Sequence, residues 1–207
     1  MWVSRHDTRS TLSLARKRAA TKEYLVIRQL GIRVREKSSP KFDSVYWSPP
    51  TYSWFKVNTD GSTIRAPGRI CAGRVFRDWR GMVRGCFHVE GGNGFAFEAE
   101  LLGLISAIEF AYSNGRLKIW FEADSSYVVH ILSTKSRRVP WHFVAIWNHA
   151  LHLVENMEFR ISHIFREGNS PVDIMVSPHT PEGWWTHNID IIKDAMIRDL
   201  SVYSHFR

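Results

Sequence analysis

Cysteine is nearly absent: Cys71 and Cys86 are the whole supply in 207 residues, and neither has the paired Cys or His spacing of a zinc module. A disulfide framework is excluded on that count, no structural metal is indicated, and reduced thiols in an intracellular protein are expected. No run of eighteen apolar residues occurs, and the amino terminus lacks the apolar core of a secretory signal, so the chain is expected to be soluble with no membrane partner. Acids are scarce at the start of the chain. Of 28 Lys and Arg and 20 Asp and Glu, residues 1–46 hold 11 and 4, which leaves 17 and 16 for the remainder. The net charge of +8 therefore belongs to the amino-terminal segment and does not by itself mark the body as a nucleic-acid binder.

What is present is a chain with 44% apolar residues, enough for one packed domain with extensions. Residues 1–44 read as a basic, poorly ordered arm with a helical candidate at Leu12 to Leu30. A phosphate-binding tail, a solvated leftover and an organelle-targeting segment all suit such an arm, so nucleus and organelle both stay open as compartments. Pro40, Pro49 and Pro50 mark the linker into a domain spanning 45–178, and residues 179–207 form a carboxyl-terminal extension with a short helix at Ile189 to Leu200.

Within the domain, Trp54 to Asp60 alternates, with Phe55, Val57 and Thr59 on one face and Lys56, Asn58 and Asp60 on the other. Gly61 is expected to break this strand just after the acid. Ile70 to Phe76 and Met82 to Val89 read as a hairpin, and Gly91 to Gly94 as a flexible loop. From Phe97 to Ser113 the period becomes helical, with Leu101, Leu104, Ile105 and Ile108 on one side and Asn114-Gly115 as the stop. Leu117 to Ala123 is a second strand that ends on an acid, Asp124, before Ser125-Ser126 opens a short helix at Tyr127 to Leu132. Another helix starts at Val139-Pro140, Met157 to Phe165 is a strand, and Asn169 to Val176 is a last helix carrying Asp173. This order predicts an α/β fold, a mixed sheet covered by helices.

Four acids stand out by position: Asp60 and Asp124 at strand ends, Glu100 in the first turn of a helix, and Asp173 on the last helix. Brought together they would repel, so such a cluster points to bound cations, with hard oxygen ligands favouring Mg²⁺ or Mn²⁺. Two ions about 4 Å apart could drive an in-line phosphodiester displacement. By spacing alone, ordinary first-turn and strand-end acids explain the same residues.

The motifs Trp54-Phe-Lys-Val-Asn-Thr-Asp-Gly-Ser62, Val75-Phe-Arg-Asp78 with Gly81, Glu98-Ala-Glu-Leu-Leu-Gly-Leu104, Phe121-Glu-Ala-Asp-Ser-Ser126 and His163-Ile-Phe-Arg-Glu-Gly-Asn169 with Asp173 occur in this order. Together they resemble the type 1 ribonuclease H domain, most closely its plant reverse-transcriptase-like branch, found in non-LTR retroelements and host proteins derived from them. Trp47 with Pro49-Pro50 resembles that branch's lead-in. The likeness spans about Val45 to Val176 and implies a five-stranded mixed sheet, three strands antiparallel and the others parallel, flanked by helices. It implies that Asp60, Glu100, Asp124 and Asp173 are catalytic and hold two ions of Mg²⁺ or Mn²⁺. It also implies cleavage of the RNA strand of an RNA–DNA hybrid, leaving 5′-phosphate and 3′-hydroxyl ends.

Backbone and polar groups near Gly61, Ser62 and Glu100 are the candidates for sensing 2′-hydroxyls, ahead of Asn58 and Ser125, and Arg166 and Asn169 are candidates for contacting substrate. A monomer is expected. Three further expectations are weighed in two ways each. His163 reads as a strand histidine more readily than as the mobile His of many members. The basic loop Lys135, Arg137, Arg138 suits a hybrid grip or a solvated turn. Trp184-Trp185 suits base stacking or docking of the extension. Two departures bear on activity. Arg74, a long cation where the resemblance leads one to expect small residues, is expected to crowd the sheet. Val172 and Val176 stand in place of Ala, with Met175 in place of Leu, and added methyls there cost about 1–3 kcal/mol and shift Asp173. A domesticated copy that binds nucleic acid without cutting it is therefore the alternative to a nuclease.

Overall fold

The computed structural model describes residues 44–45, 47–177, 183–185, 190–200 and 205–206. The basic arm up to residue 43, with its helical candidate, lies outside the described residues, as do the side chains of Trp184 and Trp185.

Six strands form the main sheet: β2 (Phe55–Thr63), β3 (Gly68–Arg77), β4 (Val83–Gly94), β5 (Lys118–Ala123), β6 (Glu158–His163) and β7 (Gly183–Trp185). Their spatial order is β6-β5-β2-β3-β4-β7. β2, β3, β4 and β7 are successively antiparallel, whereas β5 lies parallel to β2 and to β6. The expected five strands are all present, and β7 adds a short sixth at the β4 edge. A separate ribbon pairs β1 (Ser44–Val45) with β8 (His205–Phe206).

One face of the sheet is covered by α1 (Ala96–Ser113) and α3 (Val144–Glu155), with α2 (Ser126–Ser133) alongside. The apolar stripe of α1 is what seats it: Leu101, Leu104, Ile105 and Ile108 are at most 1% exposed and pack with Val57, Ile119, Phe121 and Trp147. Truncating one of these leucines to Ala would cost about 2–5 kcal/mol. The helix stops where expected, at Asn114, whose backbone N–H donates to the Phe110 carbonyl. The other face holds a smaller core in which α4 (Ser170–Met175) and α5 (Asp190–Leu200) bring Val172, Met175, Ile192 and Met196 onto Val75 and Cys86.

Three local expectations are corrected. β2 does not stop at Gly61; it runs on through Thr63, with Gly61 opposite Ala72. A Cβ at residue 61 would lie 2.2 Å from the Ala99 carbonyl carbon and the Glu100 nitrogen, so the glycine serves the close approach of α1 rather than a turn. Gly91 to Gly94 is not a free loop but the continuation of β4 past a bulge, where the register jumps between Cys71↔Glu90 and Arg69↔Asn93.

Nor does Arg74 crowd the sheet. It is 3% exposed and lies over the Phe87 ring with its guanidinium carbon 4.6 Å from the centroid. Burial pushes the guanidinium down to about 10, with the Glu109 charge working against that shift. The methyls of Val172 and Val176 find their room at Gly73, where an added Cβ would stand 2.9 Å from Val176 Cγ1 and 3.3 Å from Val172 Cγ2.

Candidate functional site

Asp60 extends from β2 one residue beyond Thr59↔Ala123, where the parallel pairing with β5 ends. Asp124 follows that same end of β5. Glu100 is the fifth residue of α1, just past the first turn in which it was expected and where Glu98 stands instead, and Gly61 lets the helix settle directly on the strand there. These three elements bring one carboxylate oxygen from each of Asp60, Glu100 and Asp124 within 4.8 Å of one another.

The electrostatics follow from burial. Asp60 is 4% exposed, and desolvation, then the charges of Asp124 and Asp173, push its carboxyl up to about 7. Glu100 is pushed up to about 10 by desolvation and then by Asp60 and Asp124. Asp124 is raised chiefly by burial, with Arg166 pulling the other way. Asp60 Oδ2 and Glu100 Oε2 are buried and have no hydrogen-bond partner. Orphaned carboxylate oxygens converging without a counter-charge among them are the donor set a hard divalent cation satisfies.

The fourth acid stands apart. Asp173 is half-buried on α4, and its Oδ1 accepts from Arg166 Nε at 3.1 Å and also from Arg166 Nη2. It is near enough to raise Asp60 but is not within the close trio. Arg166 thus meets a carboxylate of its own chain.

Two residues expected to touch substrate are removed from the surface. Asn58 and Asn169 are both 0% exposed. Asn58 Oδ1 accepts from Trp47 Nε1 and Arg77 Nη2, while its Nδ2 donates to Glu122 Oε2 and Asn169 Oδ1. Asn169 Nδ2 in turn donates to the Thr59 carbonyl at 3.0 Å and reaches Asp124 Oδ1 at 3.5 Å. Both amides position the acids. Lys56, 1% exposed, completes the network through Glu122 at 3.1 Å and the Ser48 carbonyl at 2.7 Å, and desolvation lowers its ammonium pKa against the pull of Glu122. Glu122 was not singled out by sequence, although it lies two residues before Asp124, on the same strand face.

Of the remaining residues, the Gly61 N–H donates to Asp60 Oδ1 at 2.8 Å and the Ser62 hydroxyl donates to the Val176 carbonyl at 2.9 Å. Ser125 occupies the N-cap of α2 without a side-chain cap bond. His163 is exposed at the end of β6, with Nε2 3.0 Å from the Asp124 carbonyl oxygen, so it borders the site more closely than its strand position suggested. Lys135, Arg137 and Arg138 are exposed, and Trp141 beyond them is 86% exposed. Trp147 Nε1 donates to the Ser136 carbonyl at the base of this loop. His142 Nε2 lies 2.9 Å from Glu98 Oε1 at the start of α1, tying the loop to the helix end that presents Glu100.

The model of the reverse transcriptase-like family matches residues 58–179. The chain belongs to that family. The chain is 33% identical over 151 residues to an Arabidopsis thaliana protein named "Putative ribonuclease H protein"; the match covers 72% of this chain and 24% of that relative, so the chain spans about a quarter of the relative's length. Among solved structures, ribonuclease H1 of the archaeon Halobacterium salinarum superposes with a TM-score of 0.54 at 23% identity, covering 59% of this chain and 93% of that one. LC11-RNase H1, solved in complex with an RNA/DNA hybrid, gives 0.53 at 21% identity with the same coverage of 59% and 93%. The fold is ribonuclease H-like. Among the described residues no helix is long and apolar enough to cross a membrane.

Proposed function

We propose that this chain is a ribonuclease H-type endonuclease that binds RNA–DNA hybrids and cuts their RNA strand. The observation that carries this reading is the convergence of Asp60, Glu100 and Asp124 from three elements, with two carboxylate oxygens buried and unpartnered. These three residues, with Asp173 at the rim, would hold two divalent ions, Mg²⁺ or Mn²⁺. When bound, such ions supply Lewis-acid stabilisation of phosphodiester oxygens and a water made acidic enough to act as nucleophile.

The protein's own groups do the positioning. Asn169 fixes Asp124, the Gly61 N–H fixes Asp60, and the close seat of α1 on Gly61 fixes Glu100. The Glu100 carboxylate, half-buried beside Asp60 and Asp124, would accept from a 2′-hydroxyl, which only the RNA strand offers. Lys135, Arg137 and Arg138 would contact backbone phosphates, with Trp141 as an exposed ring beside them.

The test is incubation of the purified protein with a labelled RNA–DNA hybrid and Mg²⁺, beside an Asp124→Asn variant. Cutting of the RNA strand by the wild type, reduced about a hundredfold or more in the variant, supports the nuclease. The Arg166–Asp173 pair favours a second reading in which the site binds hybrid without cleaving it; hybrid retained on the protein with no product from either form selects that reading.

A further inference from the structure

No zinc spacing is visible along the chain, yet the fold assembles a second set of metal-ligand atoms on the opposite side of β3 from α1. Cys71 on β3 faces Glu90 on β4 directly, and His88 lies two residues along β4 on the same face. One ligand atom from each of Cys71, His88 and Glu90 falls within 4.8 Å of the others. Cys71 is 1% and His88 0% exposed, Cys71 is in no disulfide, and Glu90 opens the cluster to solvent.

His88 supplies the independent sign of a ligand. Its Nδ1 lies 2.7 Å from the Met175 carbonyl oxygen. A carbonyl only accepts, so Nδ1 carries the proton, and in the neutral ring the lone pair sits on Nε2. That Nε2 is fully buried without a partner. A histidine beside a thiol and a carboxylate, with one ring nitrogen held by a backbone carbonyl and the other buried and unsatisfied, has the hydrogen-bonding state of a metal-ligating histidine.

We propose that Cys71, His88 and Glu90 bind a thiophilic divalent ion of the Zn²⁺ class. Thiolate with imidazole selects against Mg²⁺ and Ca²⁺, and three protein ligands leave a fourth tetrahedral position for water. Tetrahedral Zn²⁺ needs ligand atoms roughly 3.3–3.8 Å apart, so a cluster already within 4.8 Å need close by no more than about 1.5 Å on binding. The adjustment falls on Glu90, whose existing partner is the exposed Arg69 at 3.1 Å, a surface pair that is easily given up. The bound ion would pin β3 to β4 beside the bulge. Through the His88–Met175 hydrogen bond it would also hold the end of α4, the helix that carries Asp173.

The experiment is Co²⁺ titration of the full chain, followed by the near-ultraviolet charge-transfer absorption that only a cobalt–thiolate bond produces, with Zn²⁺ added to displace it. The wild type and the Asp124→Asn variant should both show the band at one ion per chain, which separates this site from the acid trio. Cys71→Ser should abolish the band while Cys86→Ser keeps it. Glu90→Gln, a change at an exposed residue, should weaken Zn²⁺ affinity by about 10-fold or more. Absence of the band in folded wild type, or its persistence in Cys71→Ser, overturns the proposal.

Discussion

Asp60 is where charge and geometry meet most sharply in this protein. Its carboxyl, held up to about 7 by burial and by neighbouring acids, keeps a proton in the folded metal-free protein at pH values where the unfolded chain has released it. The folded state then binds more protons than the unfolded one, so this group's contribution to stability is fully present below the unfolded value near 3.8 and is lost as pH rises through about 7. The loss amounts to about 4 kcal/mol at most. Divalent binding displaces the same proton. Thermal melts without metal should therefore give a lower Tm at pH 8 than at pH 6, and a larger gain on adding Mg²⁺ at pH 8. Asp60→Asn should lessen both trends, leaving the share that the raised Glu100 carboxyl contributes over the same range, and unchanged trends in that variant would contradict the assignment.

The neighbouring Gly61 offers a steric counterpart. Gly61→Ala must displace the backbone at Ala99 and Glu100, 2.2 Å from the new methyl, and an ångström of displacement at Glu100 should lower hybrid cleavage by about a hundredfold. Comparable rates in the two proteins would refute that role. At this scale the identities of the close acids were legible in the sequence because alternation and element ends placed them. The burial of Asn58 and Asn169 was not. A polar amide on a strand face looks the same whether water or a buried Lys56–Glu122 pair lies opposite it.

Among the elements, α5 makes the least expected contribution. The sequence marked only a weak helical pattern there, because the segment's six apolar residues alternate with five charged ones and nothing local shows what it covers. In the fold it brings Ile192 and Met196 onto the smaller core and sets Asp199 against Arg77 at 2.7 Å, with both side chains 0% exposed. Arg77 also stacks on Trp47 at 3.5 Å, so one cation joins the lead-in, β3 and α5. Burial lowers the Arg77 guanidinium pKa and Asp199 opposes that shift. Asp199→Ala would strand a buried charge and should cost about 3–5 kcal/mol, read as a fall in the urea midpoint at unchanged slope. A midpoint within experimental error of wild type would show that the pair carries no net stability.

The strands and α1 were legible from periodicity, because each has one face on a core. The continuation of β2 past Gly61 and the bulged end of β4 were not, since glycine marks a turn and a close approach alike. Which of the two applies depends on α1 and on Cys71↔Glu90, both remote in sequence.

For the whole molecule, the order of elements and the resemblance of five motifs indicated a ribonuclease H-like fold, and the sheet order β6-β5-β2-β3-β4-β7 bears that out. The same level of organisation sets how nucleic acid would be held. The described body is almost neutral, and three of its exposed cations, Lys135, Arg137 and Arg138, are clustered in one loop close in sequence to the exposed Trp141. If these contact phosphates, Arg137→Ala with Arg138→Ala should reduce the slope of log affinity against log salt for hybrid binding by about 2, leaving the sheet intact. An unchanged slope would place the grip elsewhere.

The central claim is that Asp60, Glu100 and Asp124 share a divalent ion. It is tested most directly by electron paramagnetic resonance of Mn²⁺ mixed with the purified chain, in which bound ion drops out of the free-ion signal. The wild type should sequester Mn²⁺, and Asp124→Asn, equally folded by circular dichroism, should not at the same concentrations. Equal sequestration by both proteins, or none by the wild type, would contradict the account.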